Sequence, residues 1–342
     1  MSKRNINIEL IRIISMLMIV FHHFTIHTNW NYPKEIGLRN YFILCLGNFG
    51  KIGVILFILI SGYFFYKQNF SLKKLLHLNN NITFYTVTFF LISLLWSAFE
   101  FKKMITSVFP VIFDQYWFVT GYVILLLFQP LLKNYLNLTD RENKLKLLII
   151  IIFFFYGPRL FGFIFQIEKH FKPSVYFLFI IIALIGDLIR EYQKELQTIY
   201  FRYILMASLF SLSLLQFRPF IILLLDKLNW EYPDFFINGT ESLNALLFSF
   251  CLFNLILKLS IDKRYNALIL YISSVTFEVY LIHDNPLIRS MLWNSIFQSG
   301  KFYWSSWLFL IVIIVPLIVF IACVLIAKLK NFISSKIKYC YK

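Results

Sequence analysis

Five ionisable side chains, Glu9, Arg12, His22, His23 and His27, fall inside one apolar stretch, NIELIRIISMLMIVFHHFTIHT, from Asn7 to Thr28. Ionisable groups at membrane depth are costly unless they face a partner or a watery cavity, so such a set marks a candidate functional site. Neutral imidazole is a base of suitable strength for drawing a proton from a hydroxyl. Guanidinium is a planar fork that grips phosphate or carboxylate and steadies a developing oxyanion. At about 100° per residue, Arg12 and His23 lie three turns plus roughly 20° apart. Glu9 falls about 60° from Arg12, His27 about 40° from His23, and His22 some 80° off the Arg12 direction. One stripe therefore carries a carboxylate, a guanidinium and two imidazoles over roughly 27 Å. The plainer alternative is a structural histidine pair, hydrogen-bonded inside a bundle.

The elements that must position this stripe are membrane helices. Of the 342 residues 59% are hydrophobic and only 15% charged, against about a quarter charged in a soluble domain. The expected fold is all-α, a polytopic bundle in the cell membrane. Ten apolar segments are long enough to cross the bilayer: 6–28, 42–66, 79–99, 116–137, 145–164, 173–190, 200–226, 241–260, 266–289 and 303–328. The seventh is overlong and holds Arg218-Pro219, a kink signal. The net charge of +16 resides in short loops rather than in a basic soluble segment, so no nucleic-acid partner is expected. Lysines and arginines such as Lys67, Lys73, Lys74, Arg141, Lys144 and Lys146 favour the loops on the N-terminal side, which predicts both termini in the cytoplasm. Residues 1–342 read as one transmembrane domain without a fused soluble one. Cys45, Cys251, Cys323 and Cys340 are scattered, so neither a disulfide framework nor a metal site is expected.

Three further stretches carry polar groups. Ser61-Gly62-Tyr63 ends the second segment, with Lys73 and Lys74 following; on composition this is a close helix contact and two orientation-setting lysines. Trp117, Gly121, Tyr122 and Pro130 in the fourth read as interfacial anchors and a kink. The ninth, SSVTFEVYLIHDNPLIRSMLW, holds Glu278, His283, Asp284 and Arg289, of which His283 and Asp284 either cap a helix or line the cavity of His23.

Four blocks in this order resemble the integral-membrane acyltransferase-3 family, in the form found in bacterial surface-polysaccharide acyltransferases. Arg12-x10-His23, preceded by Glu9, is similar to its first-helix signature. LFILISGYFF with the basic SLKKLL resembles its second block, YWFVTGYVILLLFQPLL its mid-chain block, and FEVYLIHDNP its late motif. Glu278 departs from the small residue expected there. The resemblance implies O-acyl transfer, usually of acetyl, from acyl-coenzyme A as donor substrate to a sugar hydroxyl of a cell-surface glycan or its lipid-linked precursor, with no bound cofactor. It implies His23, Arg12 and Glu9 as catalytic, and Ser61, Tyr63, Lys73, Lys74, Trp117, Tyr122, His283 and Asp284 as substrate-binding. A lipid-linked sugar flippase or a polysaccharide polymerase is the competing class, since those too bury charge in a bundle. A polymerase normally shows a large outer loop and a flippase repeated halves, and neither feature is seen.

Overall fold

The computed structural model describes residues 4–33, 37–67, 69–165, 174–227 and 242–340. Among them all regular structure is helical. Six helices are long and apolar enough to cross a membrane, and a bent pair would make a seventh crossing. Both ends of the chain, on which the expected orientation bears, fall outside the described residues. The chain forms two compact units, residues 1–50, 77–116 and 261–342 in the first, residues 51–76 and 117–260 in the second.

In the first unit α1 (Ile6–His27) packs against α2 (Leu38–Gly47), α12 (Asn266–Ser273), α13 (Thr276–His283) and α14 (Leu308–Cys340). The Asn5 side chain accepts from the amides of Asn7 and Ile8, and Glu9 adds negative charge to the first turn. Both favour a helix start. No proline or glycine interrupts residues 6–27. The expected ninth span is broken: α12 and α13 meet at 42°. Each has 8 residues, about 12 Å of helix, so neither crosses alone. Hydroxyls take up carbonyls around the break, Ser274 Oγ to Tyr271 O at 2.9 Å and Thr276 Oγ1 to Ser273 O at 3.1 Å. Such side-chain bonds are what make irregular backbone tolerable in a bilayer. A π-helix, Met291–Ile296, follows and docks on the end of α1. There Asn294 donates to His27 O and accepts from Asn29 N, at 2.8 and 2.7 Å, so one amide serves both sides of a helix terminus.

The second unit contains α6 (Trp117–Leu138), α7 (Arg141–Phe165), α8 (Val175–Glu191), α9 (Gln193–Gln197), α10 (Phe201–Lys227) and α11 (Leu243–Leu257), with most of α3 (Phe49–Phe64). Helix continues through Pro219 of α10. α11, with 15 residues, is shorter than a crossing needs. α8 is buried from Ile181 to Ile189, on every face, as a central helix must be. It carries Asp187, which accepts from Lys144 at 3.3 Å and from two guanidinium nitrogens of Arg190 at 3.1 and 2.6 Å. Glu191 joins both cations, so the buried charges are mutually paired.

Two glycines set the crossing of α3 and α8. A methyl on Gly62 would overlap the backbone of Ala183, and one on Gly186 the backbone of Leu59. The Ser61-Gly62 pair is thus a close backbone contact, as small residues in membrane helices allow. Gly62→Ala is expected to destabilise by about 1–3 kcal/mol, the usual cost of overpacking. Gly157→Ala, whose methyl would find only ordinary contact with the Phe153 ring, should leave stability unchanged or raise it by about 0.5–1 kcal/mol. Thermal unfolding of the solubilised variants checks this, and equal midpoints for the two would rule out the close crossing.

Candidate active site

The break between α12 and α13 puts the end of α13 against α1. His283 is its last residue, and its Nδ1 lies 2.6 Å from Val279 O. A carbonyl only accepts, so in the neutral ring Nδ1 carries the proton and Nε2 the lone pair. That Nε2 lies 2.9 Å from His23 Nδ1. His23 must then donate through Nδ1, which leaves its own Nε2 unprotonated and able to act as a base. Both rings are buried, His23 8% and His283 0% exposed.

Asp284 caps α13 and lies beneath this pair. Its Oδ1 is buried and is collared by His27 Nε2 at 3.4 Å, His23 Nδ1 at 3.6 Å and Arg289 Nη1 at 3.6 Å. A carboxylate so placed offsets part of the cost of a buried imidazolium in a reaction that passes a proton to His23. The ligand atoms of His23, His27 and Asp284 lie within 4.8 Å of one another, a spacing that could hold a metal ion. His23 Nδ1 is already bonded to His283, and Asp284 Oδ1 stands beside the Arg289 cation. The set is better described as a hydrogen-bonded charge cluster.

The turn after Asp284 is fixed from behind. Tyr116 donates to Leu281 O at 2.9 Å and accepts from Asn285 Nδ2 at 2.8 Å, and Asn285 Oδ1 accepts from Leu287 N at 3.0 Å. Tyr116 reads in the sequence as one more interfacial aromatic, and no local pattern pairs it with a residue 169 positions away. Arg289 and His27 join the cluster as well. Their apolar surroundings were the available signal, but the partner became visible only in three dimensions.

Other expected site residues fall into separate groups. Glu9 and Arg12 pair with each other at 3.4 Å, about 16 Å along the helix from His23. His22 turns away: its Nδ1 donates to Gly47 O where α2 ends, and its ring packs where a methyl on Gly50 would go. In the second unit Ser61 Oγ lies 3.4 Å from Tyr122 Oη, while Tyr63 donates to Gln193 at 2.7 Å. Trp117 stands 5.7 Å below the Lys51 ammonium. Lys73 and Lys74 are exposed at the start of α4 (Leu72–Ser93).

Fold and site define an all-helical membrane protein with a buried imidazole pair beside a carboxylate. A family model described as an acyltransferase domain matches residues 5–327, nearly the whole chain, and the protein belongs to this acyltransferase-3 family. It is a multi-pass membrane acyltransferase, which sets aside the flippase and polymerase readings. No curated protein and no solved structure matches the chain.

Replacing Tyr116 by Phe leaves Leu281 O and Asn285 Nδ2 one partner short. The expected loss is about 1–3 kcal/mol, the penalty for buried polar groups left unsatisfied, read as a lower unfolding midpoint in detergent. An unchanged midpoint would mean that water replaces the phenol and that the turn is not held from behind.

Proposed function

We propose that the protein transfers an acyl group, acetyl in the simplest case, from acyl-coenzyme A to a sugar hydroxyl of a surface glycan or its lipid-linked precursor. The observation that carries this reading is the ordered chain Val279 O, His283, His23 with Asp284 alongside. In the proposed reaction His23 Nε2 takes the proton of the hydroxyl as its oxygen attacks the thioester carbonyl. The tetrahedral intermediate then expels the thiolate, which receives that proton from His23. Asp284 steadies the imidazolium that exists between the two transfers. Arg12, held by Glu9, faces an anionic part of the donor rather than the reacting carbonyl, because it stands some three turns from His23. Ser61, Tyr63, Trp117, Tyr122, Lys73 and Lys74 are assigned to substrate binding as a set of their own within the second unit. Both termini are assigned to the cytoplasm and the protein to the cell membrane, on the loop-charge bias.

The test is transfer of labelled acetyl from acetyl-coenzyme A to glycan in membranes carrying each variant at matched protein level. His23→Ala removes the base, and Asp284→Asn removes the charge that steadies its protonated form. Each is expected to lower the rate on the order of 10²–10⁴-fold. Arg12→Lys keeps charge but loses the planar fork, so impaired turnover with raised donor KM is expected. His22→Ala should unfold at lower temperature, since Gly47 O loses its donor, yet keep most of its activity per folded molecule. Full transfer by His23→Ala would exclude it as the base, and absence of label from glycan in wild-type membranes would exclude this donor and acceptor pair.

A further inference from the structure

Within the first unit, the beginning of α4 and the last turns of α14 enclose a cavity of about 420 Å³ that the acyl-transfer reading leaves unused. That is within the range of roughly 300–1,000 Å³ typical of small-molecule sites. Polar groups of His77, Asn81, Glu278, Lys330, Asn331 and Ser334 point into a lining that is mostly carbon, from their own side-chain stems and the Phe84 ring. Lys330 donates to Asn81 Oδ1 and sits 5.1 Å over the Phe84 ring. Asn81 Nδ2 in turn lies 3.5 Å from Glu278 Oε1, a long contact for a carboxylate. Glu278 forms no ion pair among the described residues. It is also the residue that departs from the pattern of the late motif. The cavity thus opposes one cation to one anion, with amides and hydroxyls between.

Depth decides what would fill it. From Leu308 to Ala327 α14 carries no charged residue, and that stretch matches the roughly 30 Å of hydrocarbon in a bilayer. Lys330, Asn331 and Ser334 follow within about 5–11 Å of rise, the layer in which lipid headgroups lie. α4 changes character at the same place, from LKKLLHLNNN to ITFYTVTFFLIS. We propose that this cavity holds the headgroup of a zwitterionic phospholipid bearing a primary ammonium. The lipid phosphate sits by Lys330, Asn331 and Ser334, and its ammonium by Glu278, with the acyl chains leaving along the apolar part of α14. Glu278, which has a long amide contact and feels the Lys328 ammonium only through space, gains a charge-assisted hydrogen-bond partner, and a headgroup with both signs fits a wall with both signs. An anionic headgroup lacking the ammonium leaves Glu278 facing like charge.

The experiment is native mass spectrometry of the delipidated full-length protein, titrated with phosphatidylethanolamine, phosphatidylcholine and phosphatidylglycerol of identical chains. Wild type should bind phosphatidylethanolamine roughly tenfold tighter than the other two, the worth of one hydrogen bond to a charged group. Glu278→Gln should abolish that preference. Ser334→Trp, which fills the cavity while removing no hydrogen bond seen in the structure, should weaken phosphatidylethanolamine binding to the level of the others with the unfolding midpoint kept. Soluble phosphoethanolamine should compete only weakly, since it lacks the chains; competition as strong as by the lipid would assign the site to a water-soluble ligand and overturn the proposal. Equal affinity of wild type for the three lipids, or an undiminished preference in Glu278→Gln and Ser334→Trp, would also overturn it.

Discussion

The carboxylate of Asp284 is the charge around which the first unit closes. It is 6% exposed, and an ion so far from water persists only when its surroundings answer it. The answer comes from His23 and His27 on α1 and from Arg289 just before the π-helix. Three pieces of chain are thereby drawn to one point. The geometry of the proposed base follows, because His23 can present Nε2 only while His283 and Asp284 hold its other nitrogen. The break between α12 and α13 belongs to the same arrangement. A continuous helix would carry His283 and Asp284 along a straight line, whereas the 42° bend brings them to α1.

The second unit solves a similar problem without histidine. Asp187 and Glu191 on α8 meet Lys144 of α7 and their neighbour Arg190. Two cations and two anions make a set neutral overall. The contrast is chemical. Imidazole can donate through one nitrogen and accept through the other, whereas lysine, arginine and carboxylate in a closed set answer only one another's charge. Buried charge alone therefore does not distinguish the two places, and the residue types do.

Much of this was legible in the sequence, and the reasons are specific. Apolar length points to helices, and each of the ten expected segments overlaps one among the described residues, but only six, or seven with the bent pair, are long and apolar enough to cross a membrane. The helical face of α1 alone separates His23 from His22, and the two rings engage different neighbours. The ninth segment hides its break. Its hydropathy reads as one span, because the Ser-Ser-Val-Thr at the break is not polar enough to register, and hydroxyls that bond to carbonyls look like ordinary helix residues. Long-range partners left no local trace. Neither Tyr116 with Asn285 nor Lys144 with Asp187 follows a spacing rule, since each pair is joined only by packing.

The bond between His23 and His283 spans 260 positions, and that separation imposes an order on synthesis. At about 5–20 residues per second the first helix waits on the order of tens of seconds in the membrane before its partner is made. During that interval its polar stripe has to be tolerated unassisted. The pairing of Glu9 with Arg12 within a single turn suits this delay, since it neutralises the costliest charges using the helix alone. The histidines add no obligate charge while they wait. The early helix is thus built to survive the absence of the partners of its own histidines, which arrive with the last third of the chain.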